Sequence, residues 1–198
     1  MESRTVYFEE IRPENTFETF KLVEERLRGR DIKKIVIAST TGATAIKALD
    51  FFKDQGVKII VVPHQFGFRE KNYFPEELVK TIRGTGHEVH FGTMLFHTDN
   101  FYGSGAPALM ANLLRCFSQG VKVCFEITLM ASDACLLTSG EKVAACQKAR
   151  AGAPIRRLLC RRLRHRTLKG SGLMKLSASP LTALAPMNRK TALLRCGI

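Results

Sequence analysis

The feature that most constrains this chain is a unit of strand, hydroxyl-rich turn and amphipathic helix within residues 33–52. Residues 35–37 are consecutive β-branched residues, which is typical of a strand buried on both faces of a parallel sheet. The helix that follows has apolar residues at helical spacing, namely Ala45, Ile46, Leu49 and Phe52. Strand and helix patterns go on alternating down to residue 145. We therefore predict an α/β fold in which helices cover both faces of a mostly parallel sheet, a three-layer domain.

The turn of this unit, residues 39–44, contains only hydroxyl residues, glycine and alanine. Such a turn leaves backbone N–H groups at the start of the helix without intrahelical partners, and the helix dipole favours negative charge there. One interpretation is a phosphate site. The alternative is that Ser39, Thr40 or Thr41 only caps the helix. The candidate phosphate-binding residues are Ser39, Thr40, Thr41, Gly42 and Thr44.

A second candidate loop follows the next strand pattern, residues 57–62, which Pro63 ends. Ligands of open α/β sheets collect outside the carboxyl ends of the strands, so this loop and the turn at residues 39–44 should face one crevice. We place His64, Gly67 and Phe68 among the binding residues. The alternative for His64 is a hydrogen bond to a neighbouring loop and no contact with a ligand.

Three later segments also have interpretable patterns. Residues 87–91 are predicted as a strand, and Pro107 begins a helix whose apolar stripe is Met110, Leu113, Leu114 and Phe117. Residues 121–127 alternate apolar and polar residues, which predicts a strand with Glu126 on its half-exposed polar face.

Most common site chemistries have no support in these residues. There is no Gly-x-Gly-x-x-Gly motif, Walker loop, nucleophile elbow or triad, and we can name no catalytic residue. The six cysteines form no Cys-x-x-Cys pair, and His90 and His97 have no ligand-spaced partners, so we expect no metal. No apolar run is long enough to span a bilayer and no signal follows Met1, so we expect a cytoplasmic protein without membrane contact. The oligomeric state stays open.

The unit of strand, Ser-Thr-Thr-Gly-Ala-Thr-Ala turn and helix at residues 35–52 resembles the phosphate-gripping loop in the C-terminal domain of pyruvate kinases. Most of residues 5–145 is similar to a small family of uncharacterised proteins with this pyruvate kinase C-terminal-like α/β fold. The segments that carry the resemblance are residues 14–16, 38–45, 64–68 and 120–133. The resemblance implies the fold, and it implies the phosphate-loop role for Ser39, Thr40, Thr41, Gly42 and Thr44.

The resemblance does not imply pyruvate kinase activity, because that active site lies in a barrel domain that these 198 residues do not contain. It implies a phosphorylated small molecule as the ligand, and flavin mononucleotide (FMN) is one that would suit the turn. The alternative within this reading is an enzyme of unknown reaction that uses the same ligand.

The chain divides by charge into residues 1–147 and residues 148–198. The net charge of +13 resides in the second part, which has no Asp, Glu, Phe, Tyr or Trp, while the first part is neutral. The resemblance also stops at Ala145. Codons allowed for residues 149–158, read two bases later, give Thr-Gly-Arg-Gly-Ala-Asp-Thr-Ala-Leu, which matches the glycine-rich segment of the family. We therefore hypothesise that a one-base change near Cys146 put the rest of the chain out of frame.

On this hypothesis residues 148–198 are a disordered basic tail, and the domain of residues 1–147 lacks a last strand or two and has an exposed sheet edge. The alternative is a genuine basic tail that binds nucleic acid or anionic lipid through Arg161, Arg162, Arg164 and Arg166. Without an aromatic residue to stack on bases, such a tail would bind phosphate groups unselectively. We favour the reading-frame hypothesis, and we therefore expect nucleic acid not to be the partner.

Overall fold

The computed structural model describes Val6, residues 12–28, 32–67, 72–97, Gly103 and residues 105–147, together with the backbone of residues 174–177. In these residues there are five helices and five strands. The helices are α1 (Asn15–Leu27), α2 (Ala43–Phe52), α3 (Glu76–Gly84), α4 (Ala106–Phe117) and α5 (Gln119–Asp133). The strands are β1 (Lys34–Ala38), β2 (Lys58–Val62), β3 (Glu88–Val89), β4 (Lys142–Gln147) and β5 (Met174–Ser177).

The strands form one sheet in the order β3-β2-β1-β4-β5. Strands β1 to β4 are parallel, with Val36 opposite Ile60 on one side and Ala145 on the other. Strand β5 runs antiparallel along β4. The mostly parallel sheet predicted from the sequence is confirmed.

Helices cover both faces of the sheet, which confirms the three-layer arrangement. On one face, Phe20 of α1, Phe52 of α2 and Ile82 of α3 pack with Ile35 and Ile37. On the other face, residues of α5 pack against alternate positions of the same strands, namely Val36, Ile60, Ile127 and Met130. The β-branched run of β1 is therefore buried on both sides, because successive residues of a strand point to opposite faces.

The strand predicted at residues 121–127 is wrong, because this segment lies inside α5. The hydroxyl oxygen of Ser118 caps the helix by accepting a hydrogen bond from the Val121 amide at 3.0 Å. In the helix, Lys122 and Glu126 lie one turn apart on the buried side, and Cys124 is buried beside β4. Packing against the sheet overrides the β propensity of the segment. The strand predicted at residues 87–91 is also shorter, since β3 has two residues.

The apolar stripe predicted for α4 does not face the core. Met110, Leu113 and Phe117 are exposed, and Ala111 is the buried residue of the helix. Helix α4 packs on α5 and not on the sheet. The small Ala111 side chain is the one that this contact buries. Ile46 of α2, which was assigned to that helix's apolar stripe, is exposed as well.

Strand β5 lies in the segment that the reading-frame hypothesis assigns to the tail. Its pairing with residues 142–145 covers the edge of β4, so the exposed edge expected there is not seen in the described residues. The division of the chain at residue 147 and the origin of residues 148–198 stay predictions. None of the helices in the described residues combines the length and the apolar character needed to cross a bilayer.

Candidate functional site

The candidate site is a crevice of about 410 Å³ at the carboxyl ends of the parallel strands. It opens where the chain topology changes direction, because the connection from β1 leads to β2 over one face and the connection into β4 crosses the other. Its walls come from the turn after β1, the loops after β2 and β3, the end of β4 and the inner side of α5. Crevices at such switch points are the usual ligand sites of open α/β sheets.

The turn after β1 is closed by two hydrogen bonds of Ser39. Its amide donates to the carbonyl of Val62 at 3.2 Å, and its hydroxyl oxygen accepts from the amide of Ala45 at 3.2 Å. Ser39 therefore caps α2, as the alternative interpretation of the turn proposed for it. Gly42 precedes the helix with a φ of +88°, a left-handed conformation that favours glycine.

The remaining amides of the turn are available to a ligand. The N–H groups of residues 40–44 form no hydrogen bond with the described residues. These amides surround the start of α2, where no acidic side chain occupies the first turn. Ser39 also lines the crevice, together with Thr40, Thr41, Ala43 and Thr44. The arrangement suits an anionic group, which would be held by backbone donors and by the helix dipole.

The other predicted residues have different positions. Gly42 does not line the crevice. A Cβ atom added to it would point toward α3 and lie 2.2 Å from Cδ2 of Leu78. His64 lines the crevice, and its Nδ1 lies 3.1 Å from the sulfur of Met94. His64 therefore contacts the neighbouring loop and also lines the crevice. Gly67 is not part of the crevice wall, and Phe68 lies outside the described residues.

Three ionisable residues of the crevice wall were not identified as site residues from the sequence, namely His97, Lys122 and Glu126. The ammonium group of Lys122 donates a hydrogen bond to Oε2 of Glu126. The side chains of this pair are 0% and 3% exposed, whereas that of His97 is 29% exposed. All three residues line the crevice, and His97 is the most exposed of them.

The loop after β3 is held in place by side chains from both sides. Oε1 of Glu126 accepts a hydrogen bond from the amide of Phe96 at 2.9 Å. Oε1 of Gln65 accepts one from the amide of Met94 at 2.7 Å. Both bonds fix the backbone next to His97, so the position of the imidazole is set by α5 and by the loop after β2.

The electrostatics of the buried pair favour its charged form. Burial alone would raise the pKa of Glu126, but hydrogen bonds and the charge of Lys122 outweigh it and lower that pKa to about 2. Burial lowers the pKa of Lys122, and the attraction of Glu126 opposes this effect. Each charge therefore depends on its partner.

A signal for this pair does exist in the sequence. Lys122 and Glu126 are separated by four residues, which places them on one side of a helix and on the same face of a strand as well. Reading residues 121–127 as a half-exposed strand assigned Glu126 to solvent, and the pair was therefore missed. His97 could be identified only from the fold, because it is 25 residues from Lys122.

In the part of the chain that the structure describes, no three His, Cys, Asp or Glu side chains come together in a group that could hold a metal ion. No model of a known protein family matches the sequence.

Proposed function

We propose that the crevice binds a phosphorylated small molecule, with its phosphate on the turn at residues 40–44. The observation that carries this proposal is that the amides of residues 40–44 form no hydrogen bond with the described residues, while Thr40, Thr41, Ala43 and Thr44 line a crevice at the start of a helix. Backbone N–H groups at such a position are a common phosphate site. This proposal agrees with the resemblance to the pyruvate kinase C-terminal-like fold, which we retain as a proposal. Pyruvate kinase activity is not part of it.

The remainder of the crevice supports a ligand larger than phosphate. Its volume of about 410 Å³ falls in the range of small-molecule sites. Val62, Met94, Ile127 and Met130 supply apolar surface in the same wall that carries His64 and His97. An apolar ring with a few polar edges would suit this surface, and we propose FMN as the specific candidate.

The test compares ligands that differ only in the phosphate. The purified protein is titrated with FMN and with riboflavin, which has the same ring system and no phosphate, and flavin fluorescence is recorded. We expect FMN to bind more tightly and sulfate to compete with it. The visible absorbance spectrum of the protein as purified shows whether a flavin is already bound.

Three outcomes would contradict different parts of this proposal. Equal affinity for FMN and riboflavin would show that the phosphate is not recognised. If neither flavin binds but sulfate does, the phosphate site stands and FMN is the wrong ligand. If neither a flavin nor sulfate binds, the proposed function is wrong.

A further inference from the structure

The imidazole of His97 has a hydrogen-bond donor and an acceptor at the same nitrogen. Nζ of Lys122 lies 3.3 Å from Nδ1, and Oε1 of Glu126 lies 3.4 Å from it. An ammonium group can only donate a hydrogen bond, and a carboxylate can only accept one. The two neighbours therefore suit the two protonation states of this nitrogen.

In neutral His97 with its proton on Nε2, Nδ1 accepts a hydrogen bond from Lys122. In the imidazolium form, Nδ1 carries a proton and donates it to Glu126. Both partners are already within 3.4 Å, so His97 can gain or lose a proton without rotation of a side chain. In both states the proton on Nε2 is retained as a donor.

The free-energy cost of burying Lys122 and Glu126 is the reason to look for a function of this pair. Lys122 is fully buried and Glu126 nearly so, and removing two charges from water costs more free energy than a buried ion pair commonly returns. A pair of apolar or neutral residues would fill the same space. The pair is next to a crevice whose wall includes a partly exposed histidine, which is where a titratable group can act on a ligand.

We propose that His97 takes up a proton at Nδ1 when an anion binds in the crevice, and that the Lys122–Glu126 pair permits this by serving both protonation states. The inference rests on the proposed function, since it needs an anionic group beside His97. The imidazolium then adds a positive charge to the crevice wall, beside the backbone donors of the turn. Lys122 and Glu126 are positioning residues, because they act on the ligand through His97.

The charges around His97 are compatible with its uptake of one proton. Glu126 and Lys122 reach His97 from α5, and Arg115 of α4 adds positive charge near Lys122. On the crevice side the other ionisable group in the described lining is His64. Because Glu126 contacts both the ammonium group and the ring, it can offset the imidazolium charge, and the incoming anion offsets the remaining positive charge.

Sulfate is the probe, because it stays a dianion from pH 5 to pH 9 and any proton change then comes from the protein. Isothermal titration calorimetry with sulfate, in buffers of different ionisation enthalpy, counts the protons taken up. We expect net uptake of up to one proton per sulfate near neutral pH. The affinity should fall by up to tenfold per pH unit over the pH range in which binding takes up the proton, which is the slope of one linked proton.

The matched variants are His97→Gln and His64→Gln, two histidines of the same crevice. We expect His97→Gln to bind sulfate without proton uptake and with little pH dependence, and His64→Gln to keep both. The double variant Lys122→Met/Glu126→Gln should lose the uptake although His97 is present. Thermal melts confirm that each variant is folded, and His97→Gln decides the question if the double variant is not.

The outcomes separate this inference from the proposed function. Sulfate binding without proton uptake, or uptake that persists in His97→Gln, would overturn the inference and leave the phosphate site intact. Absence of sulfate binding at both pH 6 and pH 8 would overturn both.

Discussion

The hydroxyl oxygen of Ser39 lies 3.2 Å from the amide nitrogen of Ala45 and accepts its hydrogen bond across the turn between β1 and α2. The bond spans six residues, so the side chain at the end of the strand caps the helix. The amides of residues 40–44, which lie between the two residues in the chain, form no hydrogen bond with the described residues. The turn that we propose as the phosphate site is thus held by a residue that does not itself need to touch the ligand.

Replacing Ser39 by alanine should lower the free energy of unfolding by about 1–2 kcal/mol, because the Ala45 amide loses its buried partner. Urea denaturation measures the change. Thr40→Ala is the matched control, since no hydrogen bond of the Thr40 side chain is seen among the described residues, and it should stay within about 0.5 kcal/mol of the natural protein. Equal effects of the two variants would contradict the assigned cap.

Ala43→Asp should separate the stability of α2 from its ligand binding. Ala43 is exposed at the first position of the helix, where an aspartate should stabilise the protein by about 0.3–1 kcal/mol through the helix dipole. The same charge should weaken sulfate binding about tenfold or more by repulsion. Ala43→Asn, which has nearly the same shape, should change neither property much. Unchanged sulfate affinity in Ala43→Asp would place the anion elsewhere.

Gly42→Ala should destabilise the protein by about 1–2 kcal/mol, because a Cβ atom disfavours a φ of +88°. The added methyl group also meets Cδ2 of Leu78, and Gly42→Ala/Leu78→Ala relieves that contact without relieving the backbone. Gly84→Ala is the control, since nothing lies within 4 Å of its added Cβ, and it should be neutral or stabilising by up to about 1 kcal/mol. A fully restored double variant would show that packing alone requires the glycine.

Acid should remove the stabilisation that Glu126 contributes. Its pKa is about 2 in the folded protein and about 4.5 when unperturbed, so the folded state holds the charged carboxylate more strongly. This stabilisation is complete above about pH 4.5 and is lost as the pH falls from there toward 2. Urea denaturation at pH 6, 4 and 3 should therefore show a larger loss for the natural protein than for Lys122→Met/Glu126→Gln. Equal losses of stability in the two proteins would contradict the stabilising role assigned to the Glu126 carboxylate.

The coding DNA around codon 146 tests the reading-frame hypothesis for residues 148–198. We expect that a shift of one base restores a sequence with acidic residues and with the glycine-rich segment described above. A coding sequence whose shifted frame contains no such segment would contradict it. The basic residues would then belong to the protein, and salt-dependent binding to random DNA would become the relevant measurement.

The sequence was most informative where local pattern and tertiary environment agree. Residues 35–37 are β-branched and buried on both faces of the sheet, so their composition alone indicates a central strand. The turn that follows could be predicted as a candidate site because parallel strands bring their carboxyl ends to one edge. His64 was assigned to that edge for the same reason.

Residues 121–127 were misassigned because their β-branched and aromatic residues favour a strand locally, whereas burial against β1 and β4 favours a helix. That error also concealed the second half of the site. Once Lys122 and Glu126 are placed on the inner side of a helix, they contact His97, and no local pattern connects residue 97 with residue 122. Such contacts depend on the packing of the layers.

The hydrogen bonds from the amides of Met94 and Phe96 to Gln65 and Glu126 also bear on ligand selection. Since both amides are tied to side chains of other elements, this wall of the crevice is preorganised and a ligand need not order it. Little binding free energy is then lost to conformational entropy in the protein. Discrimination among ligands should accordingly follow shape, and a rigid planar molecule should be at an advantage over a flexible one with the same charge.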